Sequence, residues 1–311
     1  MKRNRKRWAA LPLLLFAQVA ALAAQPQWLE DRQYESWLEL EAADQSYADR
    51  ALEIGRHQAF LEFLGQGSVV FREGPVDALE LYSSETFRGA ELSWEAHYID
   101  VSRAGDLGLS AGPVVIINPG EDSGRDFFGH LISIWRKQGI RWELMADLGV
   151  FIPGFLSMDV QPDFNDTLPV LAETAPVHVA MADPEPMATL VESDHTFGRS
   201  INFRGGRRAL LRWGMENSRV YLPGMAPAVG AEDASTVYGA FLDTRLEATL
   251  PVNLNHVGGY LAASQELGYT YGTMSEAGAD GESGFRANYL RLWRLIGTGE
   301  WRIAVEVLSP Y

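Results

Sequence analysis

The sequence predicts an α+β protein built from two similar units. Three observations carry this. The chain matches itself at an offset of 150–160 residues. In each copy, segments with helical spacing come first and strand-like segments follow. With 311 residues, 47% of them apolar and 22% charged, the chain can bury more than one core.

The repeat is legible residue by residue. Asp44 and Tyr47 match Asp194 and Phe197, and Gly55 matches Gly205. Ala59-Phe60-Leu61 matches Ala209-Leu210-Leu211, and Ser68–Phe71 matches Ser218–Tyr221. The offset then grows to 160, taking Leu107-Gly108 and Gly112 to Leu267-Gly268 and Gly272. Trp135-Arg136 matches Trp293-Arg294, Trp142 matches Trp301, and Asp147 matches Glu306. The drift is a set of loop-length changes.

In the first unit, Trp37, Leu40, Tyr47, Ala51 and Ile54 describe one helical stripe over 31–54, and Asp44 falls on it. A second helix is expected over 56–64, a strand over 68–71 and a short helix over 77–86. Strands follow over 94–102, 107–118, 127–137 and 141–149, with turns at Arg103–Asp106 and Gln138-Gly139 and a glycine-rich loop at 119–124.

Residues 1–24 stand apart. Five basic residues precede an apolar run from Trp8 to Ala24 that ends in Ala21-Leu22-Ala23, a signal-peptidase pattern. The expectation is a signal peptide and an exported, periplasmic or extracellular protein with no stable membrane anchor after cleavage. A retained anchor is the alternative, since a run of about 17 is marginal for spanning. Removal of this segment takes the formal charge from −15 to −20. Such an acidic chain is a poor partner for nucleic acid, which needs a basic stripe. With no cysteine, disulfides, thiol catalysis and a lipid anchor on cysteine are excluded. The six histidines have no metal-ligand spacing, and no phosphate or dinucleotide loop is present, so neither a metal nor a cofactor is expected. The domain reading is 1–24 signal peptide, 25–152 first unit, 153–186 proline-rich connector and 187–311 second unit. The connector is expected to be extended, with Val177–Met181 able to pair as an edge strand.

The element order resembles the nuclear transport factor 2-like fold, and the residues resemble its SnoaL-like branch, most of all the group called domain of unknown function 4440. Leu92-Ser-Trp-Glu95, Gly105–Gly108, Gly112-Pro113, Gly129–Lys137, Trp142 and Asp147–Gly149 carry the likeness over nearly the whole first unit. The second unit keeps Leu267-Gly268, Trp293-Arg294 and Trp301 but lacks the Leu-Ser-Trp segment. The resemblance implies two tandem cone-shaped domains, each with N-terminal helices on a curved, mostly antiparallel sheet. It does not imply one reaction, because such folds host isomerases, cyclases, dehydratases, binding modules and oligomerisation domains.

Candidate pocket residues are Asp44, His97, Tyr98, His130 and Asp147, with Asp194, Asn288 and Glu306 as second-unit counterparts. Asp44 and Asp194 read either as pocket acids or as carboxylates that fix backbone donors or an arginine. His97 shares strand parity with Ile99 and Val101, and His130 with Ile132 and Ile134. Each reads as an acid–base group or as a satisfied core or rim histidine. Asn288, at the position of His130, cannot transfer a proton. Asp147 and Glu306 are placed by alternation on the face opposite Trp142, Leu144 and Ala146. They read as pocket carboxylates, as the resemblance implies for ketosteroid-isomerase-like relatives, or as solvated ones. The leading expectation is an exported module that binds a small apolar or amphipathic molecule. The alternatives are an acid–base enzyme using Asp147 or His97 with Tyr98 or His130, and an interaction module of the cell envelope. The two units are expected to pack through their sheets as an intramolecular pseudo-dimer.

Overall fold

A computed structural model describes residues 27–84, 91–117, 126–154, 160–167, 186–247, 251–278 and 284–311. The signal segment, the glycine-rich loop 119–124 and the expected edge strand 177–181 lie outside the described residues. In the first unit, helices α1 (Gln27–Ile54) and α2 (Arg56–Phe63) lead into strands β1 (Leu64–Arg72) and β2 (Gly74–Asp77) and helix α3 (Ala78–Ser84). Strands β3 (Glu91–Trp94), β4 (Tyr98–Val101), β5 (Leu107–Ile117), β6 (Phe127–Gln138) and β7 (Arg141–Ile152) complete it. The second unit repeats the order with α4 (Pro186–Arg204), α5 (Gly206–Trp213), β8 (Gly214–Tyr221), β9 (Ala228–Val229) and α6 (Ala231–Asp243). Its meander is β10 (Val252–Leu261), β11 (Leu267–Glu276), β12 (Arg286–Leu295) and β13 (Trp301–Pro310).

The chain is therefore α+β, with one sheet per unit. The first sheet runs β2-β1-β7-β6-β5-β3, with β4 beside β5, and the second runs β10-β11-β12-β13-β8-β9. Neighbours are antiparallel except β1 with β7 and β8 with β13. The matched glycines Gly55 and Gly205 join the first two helices of each unit at φ of 84° and 76°, a left-handed turn that side-chain-bearing residues resist.

Each sheet has two apolar faces. One faces its own helices: Leu40, Tyr47, Phe60, Leu131 and Trp135 share a core in the first unit, as do Phe197, Leu210, Tyr238, Tyr289 and Trp293 in the second. The other faces meet. Leu109, Ile132, Ile134, Leu148 and Val150 pack against Tyr269, Leu290, Leu292, Val305 and Val307 in one cluster. Reciprocal hydrogen bonds close one end of this contact. Arg103 N donates to Glu266 Oε1 at 2.7 Å, and Ala263 N donates to Asp106 Oδ2 at 2.8 Å. Inside the contact, buried Asp100 is ion-paired with buried Arg294.

Three local features depart from the sequence reading. The strand expected over 94–102 is two strands. Residues 95–97 stand opposite only Gly112 and Pro113, because Trp94 pairs with Val114 and Tyr98 with Ala111. Pro113 has no N–H to continue the ladder. The connector is not wholly extended or unpacked. Residues 164–166 form a 3-10 turn, Phe164 packs edge-on against Tyr34 and Trp37, and Asp166 pairs with Arg219 at 2.6 Å. Finally, β7 carries a bulge. Ile134 pairs with Ala146 but Trp135 pairs with Leu144, so Met145 is an extra residue. Trp142 and Leu144 therefore pack with the helices, whereas Ala146, Leu148 and Val150 face the second unit. Asp147, opposite Ser133 and Val70, lies on the helix side together with Trp142 and Leu144, not on the face opposite them. The second unit has the same bulge at Ala304.

Candidate functional site

Helix α1 crosses the sheet of the first unit and buries Asp44, which is 2% exposed. Ser110 Oγ on β5 donates to Asp44 Oδ1 at 2.6 Å, and Trp135 Nε1 on β6 donates to the same Oγ at 2.9 Å. Trp94 turns its indole toward the carboxyl, and among the described residues no cation pairs with it. Burial pushes its pKa up to about 6, with Asp147 adding to the rise and Ser110 opposing it.

Asp147 sits further toward the mouth of the cone. Ser133 Oγ donates to its Oδ1 at 3.1 Å, while Oδ2 is buried and completes no hydrogen bond among the described residues. Arg56, at the start of α2, brings Nη2 to 4.0 Å of that oxygen. Burial raises the Asp147 pKa above the usual carboxylate range, against the pull of Arg56 and Ser133. Tyr47 OH lies beside the Arg56 guanidinium, and neither Tyr47 OH nor Arg56 Nε closes a well-formed hydrogen bond.

Of these groups, Asp147 and Arg56 border a cavity of about 490 Å³, in the size range of small-molecule sites. Asp147 and Arg56 supply its polar inner end. Val70, Leu92, Val114, Leu131, Leu148 and Val150 supply apolar wall, and Asn288 and Ser309–Tyr311 of the second unit reach its rim. It lies where the ladder between β1 and β7 ends at Val70 and Asp147.

In the second unit an arginine occupies the matching place, and a cavity of about 500 Å³ lies instead beside Gly205, Gly206, Leu242 and Val252. Thr270 takes the place of Ser110: its Oγ1 donates to Asp194 Oδ1 at 3.1 Å and accepts from Trp293 Nε1 at 2.9 Å. Opposite Glu306, where the first unit has Ser133 opposite Asp147, stands Arg291. Its fully buried guanidinium reaches Asp194 at 2.7 Å and Glu306 at 2.5 and 3.1 Å. Tyr289 OH donates to Asp194 Oδ2 at 2.7 Å, and His256 Nδ1 lies 3.3 Å from the same oxygen. Burial would raise the pKa of Asp194, but Arg291 and these partners outweigh it and hold it down at about 2. Asp194 thus fixes an arginine, whereas Asp44 has none.

The structure does not bring the other candidates to this point. Tyr98 faces the second unit, donates to Asp100 Oδ2 at 3.1 Å and lies under the Arg219 guanidinium. His130 is buried on the same face against Tyr221, and burial, then His97, lowers its pKa to about 4. His97 lies in the break between β3 and β4 and contacts exposed Glu95 at 3.0 Å. Asp147 therefore lies on the sheet face opposite Tyr98 and His130 and forms no acid–base set with them. Asn288 donates to the Arg72 carbonyl at 2.6 Å. Among the described residues, no three His, Asp or Glu side chains converge as a metal site, and no helix is long and apolar enough to cross a membrane.

Arg56 and Arg291 escaped the sequence reading. Arg291 alternates with Leu290 and Leu292 at the parity of Tyr289 and Trp293, a buried-cation signature that requires inward carboxylates. Arg56 stands where the second unit has Gly206.

No family model matches the chain, and no curated protein does. Solved structures are similar to it one unit at a time. A ketosteroid isomerase-like protein from Erwinia carotovora atroseptica is 17% identical over 41% of this chain and 98% of its own, with a TM-score of 0.33. A putative scytalone dehydratase from Novosphingobium aromaticivorans is 9% identical over 40% of this chain and 83% of its own, with a TM-score of 0.33. A protein of unknown function with a cystatin-like fold from Nostoc punctiforme is 13% identical over 40% of this chain and 90% of its own, with a TM-score of 0.31. Both units of the chain share one order of elements: two helices, two paired strands, a helix and an antiparallel meander.

Proposed function

We propose that the chain is a small-molecule-binding protein whose site is the cone of the first unit, with the second unit as its structural half. One observation carries this reading. The first unit keeps a cavity of about 490 Å³ lined by Asp147, whose buried Oδ2 has only the distant Arg56 guanidinium and no hydrogen bond among the described residues, while Arg291 stands at the matching place of the second unit. An unpaired buried polar atom is costly and is satisfied by a ligand group or water. The test is thermal shift of the full chain against a metabolite library, beside a Leu131→Trp variant that fills the cavity. A ligand at a hundredfold excess over its Kd should stabilise the wild type by about 3 kcal/mol and leave the filled variant unmoved. A library with no stabilising member would reject the reading.

Acid–base catalysis is the second reading, favoured by the two buried carboxyls on one face. Asp44 and Asp147 each titrate above the usual range, and Asp147 reaches the cavity. A carboxyl so placed can exchange a proton with a bound carbonyl compound. Turnover of a bound ligand that Asp147→Asn abolishes without loss of binding would distinguish this reading from simple capture.

We also propose that residues 1–24 are removed on export, that 25–152 and 187–311 act as the two domains, and that their packed sheets form an intramolecular pseudo-dimer. The apolar faces through which sheets of this kind could dimerise are already covered within the chain. Intact mass with light scattering should therefore find a monomer that begins after Ala21-Leu22-Ala23; a stable dimer or an uncleaved chain would contradict this.

A further inference from the structure

The second unit carries two histidines without counterparts in the first, and they meet at its surface. His195, on α4, is exposed, and His256, on the edge strand β10, keeps 15% of its side chain exposed. Their ring centroids lie 5.9 Å apart, with the planes at 87°. In the first unit Gln45 stands where His195 does. The matched glycines Gly112 and Gly272 press on the carbonyls of Glu95 and Asn255, so Ala96 stands where His256 does. His256 Nδ1 lies 3.3 Å from Asp194 Oδ2. Asp194 also accepts from Arg291, Tyr289 and Thr270, and its pKa is held at about 2, so it is ionised near neutral pH and has no proton to give. Nδ1 is therefore the ring nitrogen that carries the proton, and in the neutral ring Nε2 holds the lone pair. Nε2 takes no hydrogen bond among the described residues and is open to solvent. A carboxylate that fixes an imidazole in this tautomer is the usual outer partner of a metal-bound histidine.

We propose that His195 and His256 together bind one divalent transition-metal ion of the kind imidazole favours, zinc, copper or nickel, with water completing its shell. Metal–nitrogen bonds of about 2.0–2.1 Å put the centres of two bound imidazoles about 5–6 Å apart, and the observed spacing falls in that range. Magnesium and calcium, which take oxygen ligands, are excluded by the donor set. Glu192, one turn before His195, stays outside the shell because its carboxylate is held by Arg199 at 2.5 Å and Thr196 at 3.1 Å. The two histidines are 61 positions apart, so no motif spacing announces them. The ion ties helix α4 to the edge strand of its sheet, a cross-link in a chain without cysteine. This site is independent of whether the cone of the first unit holds a ligand.

The test is zinc titrated by calorimetry at neutral pH into the full chain and into His195→Ala. The replaced side chain is on the surface, so the variant keeps the contact between His256 and Asp194. It should bind zinc at least about tenfold more weakly, since a lost ligand costs no less than a lost outer partner. His57, His97 and His130 are present in both chains and cannot produce the difference. A second readout needs no variant. In the ¹⁵N-labelled wild type, the ring nitrogens of His195 and His256 should shift together with zinc, His256 Nδ1 should stay protonated, and magnesium should move neither ring. Saturating zinc should also raise the thermal midpoint of the wild type and leave that of His195→Ala in place. Equal zinc binding by the two chains, or binding that leaves these two rings unmoved, would put the ion elsewhere and overturn the proposal. Absence of binding at millimolar zinc would overturn it as well.

Discussion

Replacing Arg291 with methionine should destabilise the chain by about 3–5 kcal/mol, the usual cost of stranding buried charges. The guanidinium is fully buried and shared by Asp194 and Glu306, which are themselves fully buried. Methionine fills much of the volume but leaves two carboxylates on one another in an apolar core. In urea, the midpoint should fall with little change in slope. The triple variant Asp194→Asn, Arg291→Met, Glu306→Gln should recover much of the loss, because the cost lies in unpaired charge rather than in the absence of an ion pair. Ser133→Ala, at the matching place in the first unit, should cost about 1 kcal/mol. An Arg291→Met loss no larger than that of Ser133→Ala would show that the triad does not hold the second cone together.

The second large effect has the opposite sign. Asp44→Asn should stabilise the chain at pH 8 by about 2–3 kcal/mol and change little at pH 4. Burial raises the folded-state pKa of Asp44 to about 6, against an unfolded value of about 3.9. The folded state therefore binds this proton more tightly than the unfolded state does. The stability from that proton is fully present below about pH 4 and is lost as pH rises through 6. Asparagine keeps an oxygen for the Ser110 hydroxyl and has no charge to desolvate. Asp194 behaves inversely. Its pKa is depressed to about 2, so its contribution is present above the unfolded value of about 3.9 and is lost as pH falls through 2. Asp194→Asn should consequently destabilise at neutral pH. Urea midpoints across pH 4–8 for the three chains check both signs, and parallel curves for wild type and Asp44→Asn would refute the account of Asp44.

The two buried aspartates show how far the sequence reaches. Their matched place on an inward stripe was legible, and with it the repeat and the helices-then-meander order, because apolar periodicity survives divergence. Their different fates were not. These depend on residues about 100 positions away: Ser133 in one unit and Arg291 in the other. Asp147 shows a second limit. Alternation assigns a strand residue to a face only while the ladder is regular, and the single extra residue Met145 transfers everything beyond it to the other face. The same limit applies at 95–97, where Pro113 interrupts the pairing and removes His97 from the regular alternation with Ile99. Arg56 could have been noticed as a cation beginning α2 opposite a glycine in the repeat. Nothing in the local sequence ties it to Asp147, 91 positions further on.

The unlike fillings of the two cones have a consequence for what a single chain can hold that a pair of identical chains cannot. Two copies of one subunit must carry every substitution twice, so an arginine that plugs one cone plugs both, and a cavity that weakens one half weakens both. Joined in one chain, the halves diverge independently across a shared wall. One is free to fix its buried carboxylates with Arg291, while the other tolerates a cavity and a buried carboxyl with no close cation. Leu290, Val305 and Val307 of the second half share one buried cluster with Leu148 and Val150 of the first, so the wall between the halves is packed from both sides. Division of labour of this kind lets a costly hollow persist in a protein that has no disulfide to hold it open.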